Sequence, residues 1–268
     1  MHSTTPTNRQ RIDWRGRPVD IEYLWLNETA SGPVLVFLHE GLGSIAMWRD
    51  FPARLCAATG LRGLVFSRPG YGRSTQRAPG ESWAPDYLHR QAREVLPALL
   101  AALGVDARAR PPWLFGHSDG GSIALLYASM FPTAGAIVAA PHIVVEDISV
   151  DGIRKTVQAY RDGGLRDRLA RFHDDPDSPF LGWSDAWLDP AFRRWRIVDD
   201  IAAIDCPVLA MQGVDDEYGT LDQIRGIARV VPHAQVLEIE ACGHSPHKDQ
   251  PDIVIDASRR LVEASRSN

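Results

Sequence analysis

Cysteine is scarce in this chain. Only Cys56, Cys206 and Cys242 occur, widely spaced and with no C-x-x-C pair. An odd, scattered set provides neither a disulfide framework nor a thiolate metal site, and suits free thiols in a reducing cytosol. The histidines are scattered too, and H-E-x-x-H is absent, so no metal is expected. No G-x-G-x-x-G is followed by a ribose-binding acid, so no nucleotide cofactor is expected. No run of eighteen apolar residues exists, which excludes a membrane-spanning helix. The opening Met1–Asn8 lacks the charged and apolar regions of a signal peptide and reads as a frayed tail, with the protein in the cytoplasm. A basic excess is also missing: 29 Lys and Arg face 34 Asp and Glu, a net charge of -5 that leaves no footprint for nucleic acid. Nothing in the sequence specifies an oligomer, and a small molecule is the expected partner.

What is present is an α/β pattern. With 268 residues, 44% hydrophobic and 24% charged, the chain can bury one sizeable core. Val19–Leu26 alternates as an edge antiparallel strand does. Val34–Leu38 is a continuous branched apolar run, the pattern of a parallel strand covered on both faces, and Leu61–Phe66, Pro112–Phe115, Ala136–Ala140, Cys206–Gln212 and Ala234–Ile239 read as further strands. Helical periodicity separates them, over 46–59 and over 85–103. Pro97 falls inside the second helix and should kink or break it, and Gly104 should cap it.

The stretch 148–200 differs. It has no buried-strand pattern and reads as helical throughout, divided at His173–Pro179. It is expected to be an inserted lid, with 1–147 and 201–268 forming the main domain. Its tryptophans Trp183 and Trp187 either line a substrate cavity or fill the lid's own small core. Its arginines (Arg161, Arg166, Arg168, Arg171, Arg193, Arg194, Arg196) are interleaved with acids, which predicts a salt-bridged surface rather than an anion site.

The pentapeptide Gly116-His117-Ser118-Asp119-Gly120 lies between an apolar strand and the apolar helix starting at Gly121. Strand, G-x-S-x-G and helix make a nucleophile elbow, in which glycines relieve the crowding at a sharp turn. A serine hydroxyl attacks well only when a base removes its proton. His244, on a glycine-containing loop after the last strand, is the candidate base. His247 and His142 are its rivals; His247 reads as surface and His142, near the lid hinge, as a substrate contact. Asp216, its neighbour Asp215 and Glu146 are the acids that could orient that imidazole. The glycine-rich turn His39-Glu40-Gly41-Leu42-Gly43-Ser44 follows a central strand. It reads as half of an oxyanion hole, built from the backbone N–H groups of Gly41 and Asp119. The Asp119 side chain is not needed there and is free to greet a cationic group. His39, Glu40, His142, Trp183 and Trp187 complete the candidate substrate contacts.

These motifs resemble, in combination and over about 21–264, the α/β-hydrolase superfamily: His39–Gly43, Arg68-Pro69-Gly70-Tyr71-Gly72-Arg73-Ser74, the elbow, Gly213-Val214-Asp215-Asp216 and Gly243-His244. The resemblance implies a mostly parallel eight-stranded sheet with flanking helices, a lid at 148–200, the order Ser, Asp, His, and the acid at the offset of Asp216. One departure stands out: the usual His-Gly reads His39-Glu40. Either that carboxylate disfavours anionic substrates or it turns away to bind backbone. A serine at 118 separates the chain from the aspartate-nucleophile branches. The activity implied is hydrolysis of an ester, thioester or lactone. A C–C bond hydrolase of ring-cleavage products and a non-catalytic ligand sensor are the alternatives.

Overall fold

A computed structural model describes residues 6–266. Eight strands form one sheet: β1 (Asn8–Trp14), β2 (Arg17–Leu26), β3 (Val34–Leu38), β4 (Arg62–Phe66), β5 (Trp113–His117), β6 (Gly135–Ala139), β7 (Val208–Gly213) and β8 (Gln235–Ile239). Their order across the sheet is β1-β2-β4-β3-β5-β6-β7-β8. β1 and β2 are antiparallel to their neighbours, and every pairing from β4 to β8 is parallel. This is the mostly parallel α/β sheet that the apolar runs predict.

Strand pleating explains why the inner strands are apolar throughout. Val34, Val36 and Leu38 of β3 enter one core while Leu35 and Phe37 enter another, because successive side chains leave on opposite faces. β6 divides likewise, Ala136 and Val138 from Ile137 and Ala139, and so does β7, Val208 and Ala210 from Leu209 and Met211. α1 (Phe51–Thr59) covers the second face through Leu55 and Cys56. The first face receives α2 (Tyr87–Arg90), α3 (Leu96–Ala102) and α4 (Asp119–Met130). Between α2 and α3 lies a single π-helical turn, Gln91–Val95. It is the break that Pro97 predicts: Pro97 offers no N–H and crowds the carbonyl four residues back, and a widened turn relieves both. Gly104 (φ 71°) ends α3 in a Schellman arrangement, with Gly104 N–H donating to Ala101 O and Val105 N–H to Leu100 O.

Between β6 and β7 the chain adds no strand to the sheet. It runs through α5 (Asp147–Arg161), α6 (Gly164–Leu169), α7 (Asp177–Leu188) and α8 (Val198–Ile201). Three of its arginines form ion pairs, Arg166 with Asp177, Arg193 with Asp147 and Arg196 with Asp199. α9 (Asp222–Val230), α10 (Pro246–Asp249) and α11 (Pro251–Arg266) complete the chain, α11 closing the second core through Val254, Leu261 and Val262.

Two expectations need correction. Val19–Leu26 is not the edge: Asn8–Trp14 pairs outside it, from Asn8 opposite Tyr23 to Trp14 opposite Arg17. Part of the expected tail, 1–5, lies outside the described residues, but its last residue, Asn8, opens β1. That strand buries only Ile12, so its apolar signal is faint. The helix expected over 46–59 is two pieces, a 3-10 turn at Ile45–Trp48 and α1, separated by Arg49 in a positive-φ conformation. Among the described residues no helix is long and apolar enough to cross a membrane, and no group of three metal-ligating side chains occurs. Cys56, Cys206 and Cys242 are all buried and unpaired, and burial raises each thiol to about 12.

Candidate active site

The carboxyl ends of the parallel strands converge on one pocket, as open α/β sheets arrange their ligand sites. β5 delivers Ser118, β3 on one side delivers the loop at Gly41, and β6 on the other delivers His142. β7 and β8, themselves neighbours, deliver Asp216 and His244. The cavity is about 190 Å³ and is lined among others by Gly41, Ser118, His142, Trp183, Trp187 and His244.

Ser118 sits at φ 53°, ψ −119°, a strained conformation that costs on the order of 1–3 kcal/mol and persists only where its surroundings impose it. Ser118 N–H donates to Ala139 O at 2.9 Å, and its carbonyl accepts from Gly121 N–H at 2.8 Å and Ser122 N–H at 3.1 Å. The flanking glycines are sterically required. A Cβ on Gly116 would lie 2.2 Å from Gly120 O, and one on Gly120 would lie 1.9 Å from Leu38 O. The strand ends and the helix begins with no room between them.

Ser118 Oγ lies 2.9 Å from His244 Nε2, and His244 Nδ1 lies 2.9 Å from Asp216 Oδ1 and 3.0 Å from Oδ2. The carboxylate fixes the tautomer: Nδ1 carries the proton and Nε2 is free to accept the serine's. Asp216 Oδ1 also accepts from Tyr218 N–H at 2.8 Å and Oδ2 from Gln212 Nε2 at 3.0 Å. Burial opposes the charge on Asp216, but the hydrogen bond and charge of His244 and the Tyr218 N–H together hold its carboxyl below the usual range. Asp215 is exposed and joins the loop through its backbone. Glu146 instead accepts from Thr220 N–H at 2.9 Å and Gln223 Nε2 at 2.7 Å, tying the end of β6 to the loop after β7.

Several expected contacts fall elsewhere. His39 is fully buried and does not line the pocket; its Nδ1 donates to Glu40 O at 2.8 Å and its Nε2 accepts from Arg68 N–H at 3.0 Å. His247 is not at the surface but packed between Trp48, Phe51 and His117. Asp119 does not present its side chain to a ligand. Its carboxylate accepts from Tyr87 Oη at 2.7 Å and Trp187 Nε1 at 3.2 Å, and lies 3.7 Å from Arg68. Burial raises the Asp119 carboxyl, with Arg68 countering it.

Others do line the pocket. His142 packs its ring on Trp187, centroids 4.9 Å apart, and its Nδ1 has no partner; burial, assisted by His244, lowers the imidazole to about 3, so it is neutral. Trp187 and Trp183 are at once pocket wall and packed core. Trp183 explains a third glycine: a Cβ on Gly41 would stand 2.2 Å from the indole Nε1. Glu40 lines the pocket and places Oε2 3.6 Å from His117 Nδ1 and Oε1 3.5 Å from Lys248 Nζ. Burial resists ionisation of Glu40, yet the Lys248 ammonium holds it well below the usual carboxylate range.

Sequence reasoning missed three residues. His117, a variable position of the pentapeptide, donates from Nε2 to His244 O at 2.7 Å and so braces the backbone of the histidine loop. Arg68 is wholly buried, and nothing in its glycine-rich surroundings distinguishes it from a surface arginine. His173, read only as part of a break, accepts from Gly72 N–H at 2.9 Å and lies 3.1 Å from Leu42 O, bridging two loops.

Comparison with known proteins agrees with this architecture. The chain is 24% identical over 281 residues to an sn-1-specific diacylglycerol lipase of Mus musculus, covering 90% of this chain and 84% of the relative. It is 24% identical over 273 residues to an (E)-2-((N-methylformamido)methylene)succinate hydrolase of Acinetobacter baylyi, covering 89% and 93%. Among solved structures, a thermophilic esterase from Thermogutta terrifontis superposes with a TM-score of 0.71 at 19% identity over 97% of this chain and 99% of that one. A bromoperoxidase from Bacillus anthracis gives 0.72 at 18%, over 96% and 100%. At that identity the two structures speak to fold alone. A family model, the alpha/beta hydrolase family, matches residues 35–257. The chain is therefore an enzyme of the alpha/beta hydrolase family.

Proposed function

We propose that the enzyme hydrolyses a small carboxylic ester, thioester or lactone through an acyl-enzyme. The observation that carries this reading is the unbroken hydrogen-bonded series from Ser118 Oγ through His244 to Asp216, opening on a pocket lined by Trp183 and Trp187. Ser118 Oγ bonds to the acyl carbon as His244 Nε2 takes its proton, and the carbonyl electron pair moves to the oxygen. Asp216 stabilises the imidazolium and keeps it oriented. The N–H groups of Gly41 and Asp119 face the developing oxyanion; that of Asp119, in the first turn of α4, has no partner within the helix. Collapse expels the alcohol or thiol, which takes the proton from His244. Water then repeats the sequence, with His244 as base, and frees the acid and Ser118.

Residues 148–200 serve in this reading as the lid, α5 contributing Ile153 and α7 contributing Trp183 and Trp187 to the pocket wall. No lysine or arginine lines the pocket, and Glu40 does, so an uncharged acyl group suits it better than an anionic one. The test is turnover of p-nitrophenyl esters and acyl thioesters of graded chain length by the parent and by Ser118→Ala. Turnover that vanishes in the variant supports the assignment; turnover that persists in it removes Ser118 as nucleophile.

A further inference from the structure

The Glu40–Gly41 peptide has its two edges in different surroundings. The Glu40 carbonyl accepts three hydrogen bonds: from His39 Nδ1 at 2.8 Å, Arg68 Nη2 at 2.9 Å and Gly43 N–H at 3.0 Å. A trans peptide is planar, with its C=O and N–H pointing in opposite directions. A carbonyl fixed toward His39 and Arg68, neither of which lines the pocket, leaves the Gly41 N–H on the other side, and Gly41 does line it. One of the three donors is a guanidinium, and charge-assisted hydrogen bonds are about twice as strong as neutral ones. Hydrogen bonds arranged in a chain polarise one another, so drawing electron density onto the Glu40 oxygen strengthens the N–H of the same peptide as a donor.

The same Arg68 nitrogen lies 3.7 Å from Asp119 Oδ2. It thus touches the two residues whose N–H groups would form the oxyanion hole, one from the loop after β3 and one from the start of α4. Both side chains are buried, at 0% and 1% exposure, so water does not screen the contact. Trp187 of α7 reaches Asp119 through its indole N–H and extends the connection to the pocket wall.

We propose that Arg68 is a positioning residue: it holds the Glu40–Gly41 peptide in the one orientation that aims a polarised Gly41 N–H at the reacting carbonyl, and it sets the spacing of the two oxyanion donors. The proposal rests on the serine-hydrolase reading above. Losing one oxyanion donor outright costs about 10²–10³ in turnover. Arg68 acts through a donor that remains, still oriented by His39 and Gly43, so its loss is expected to cost about ten- to a hundredfold.

The experiment compares the parent, Ser118→Ala, Arg68→Met and Arg68→Lys with p-nitrophenyl acetate as substrate, a trifluoromethyl ketone as inhibitor and an alkyl fluorophosphonate as a label for Ser118. Rates are normalised to active sites counted by the label. For Arg68→Met the expected result is kcat lower by about ten- to a hundredfold, KM within twofold of the parent, and an inhibition constant for the ketone raised in step with the loss in kcat. Arg68→Lys, which keeps charge without the planar fork, should fall between. A merely structural arginine would lower the count of active sites and leave the ratio of ketone inhibition constant to KM at its parental value. That ratio, unchanged in Arg68→Met, overturns the proposal; if Arg68→Met does not fold, an unchanged ratio in Arg68→Lys overturns it. A parent that is not labelled at Ser118 and whose turnover survives Ser118→Ala instead overturns the serine-hydrolase reading, a result distinguishable from failure at Arg68.

Discussion

Acidification should weaken the fold through histidines that cannot take up a proton where they lie, and His142 allows the size of the effect to be worked out. Its ring is 3% exposed, makes no hydrogen bond, and is lowered from the ordinary 6.5 to about 3. The unfolded chain binds a proton near pH 6.5 and the folded chain does not until about 3, so the unfolded state gains as pH falls through that window. The penalty is absent well above pH 7, begins near 6.5 and grows down to about 3. Integrating the unfolded chain's proton uptake from pH 7 to pH 5 gives about 2 kcal/mol for this one side chain. Ordinary carboxylates titrate near 4, below that interval, so they contribute little to it. The assay is denaturant unfolding at pH 7, 6 and 5 for the parent and for His142→Phe, which keeps a ring in the site and breaks no hydrogen bond. The parent should lose about 2 kcal/mol more than the variant between pH 7 and 5. Equal losses would refute the reasoning and mean that the folded protein admits a proton at His142. Burial also lowers His39, His117, His173 and His247, so both proteins should weaken steeply with acid, and only their difference belongs to His142.

Other substitutions probe the geometry directly. Asp216→Asn should lower kcat on p-nitrophenyl acetate by about 10³–10⁴, since an amide can donate to Nδ1 and select the wrong tautomer of His244. Gly41→Ala should displace Trp183, whose indole stands where the new methyl group must go; a loss of about 1–3 kcal/mol in unfolding free energy and a changed chain-length preference are expected. Trp187→Phe keeps a ring in the site but removes the N–H shared by Tyr87 Oη and Asp119 Oδ1, and should destabilise by about 1–3 kcal/mol in the same unfolding assay.

The parallel sheet was legible because its inner strands are buried on both faces and therefore apolar throughout, as in Val34–Leu38. β1 was not, because an outer strand that buries only Ile12 lacks that signature and takes its definition from hydrogen bonds to β2. The choice of Asp216 over exposed Asp215 was implied by the family resemblance; what distinguishes the two in space is the Tyr218 N–H and Gln212 amide aimed at Asp216, which no local pattern records. Positions that serve the site from behind were the hardest to see. His39, His117, Arg68 and Asp119 act through contacts with residues distant in the chain, and their sequence surroundings match those of residues facing a ligand. His247 was misread for the opposite reason: a short polar stretch, Ser245–Gln250, suggests surface, whereas Trp48 and Phe51 of a remote segment enclose the ring.

The three buried cysteines have a practical consequence for identifying the substrate. Thiolates are the reactive form toward disulfide dyes, and thiols lowered into the folded interior with ionisation near 12 are almost wholly protonated at neutral pH. The native protein should therefore be silent toward such a dye. Coenzyme thiols released from acyl thioesters can then be followed continuously in its presence, and a slow background signal would report the fraction of unfolded chains rather than catalysis.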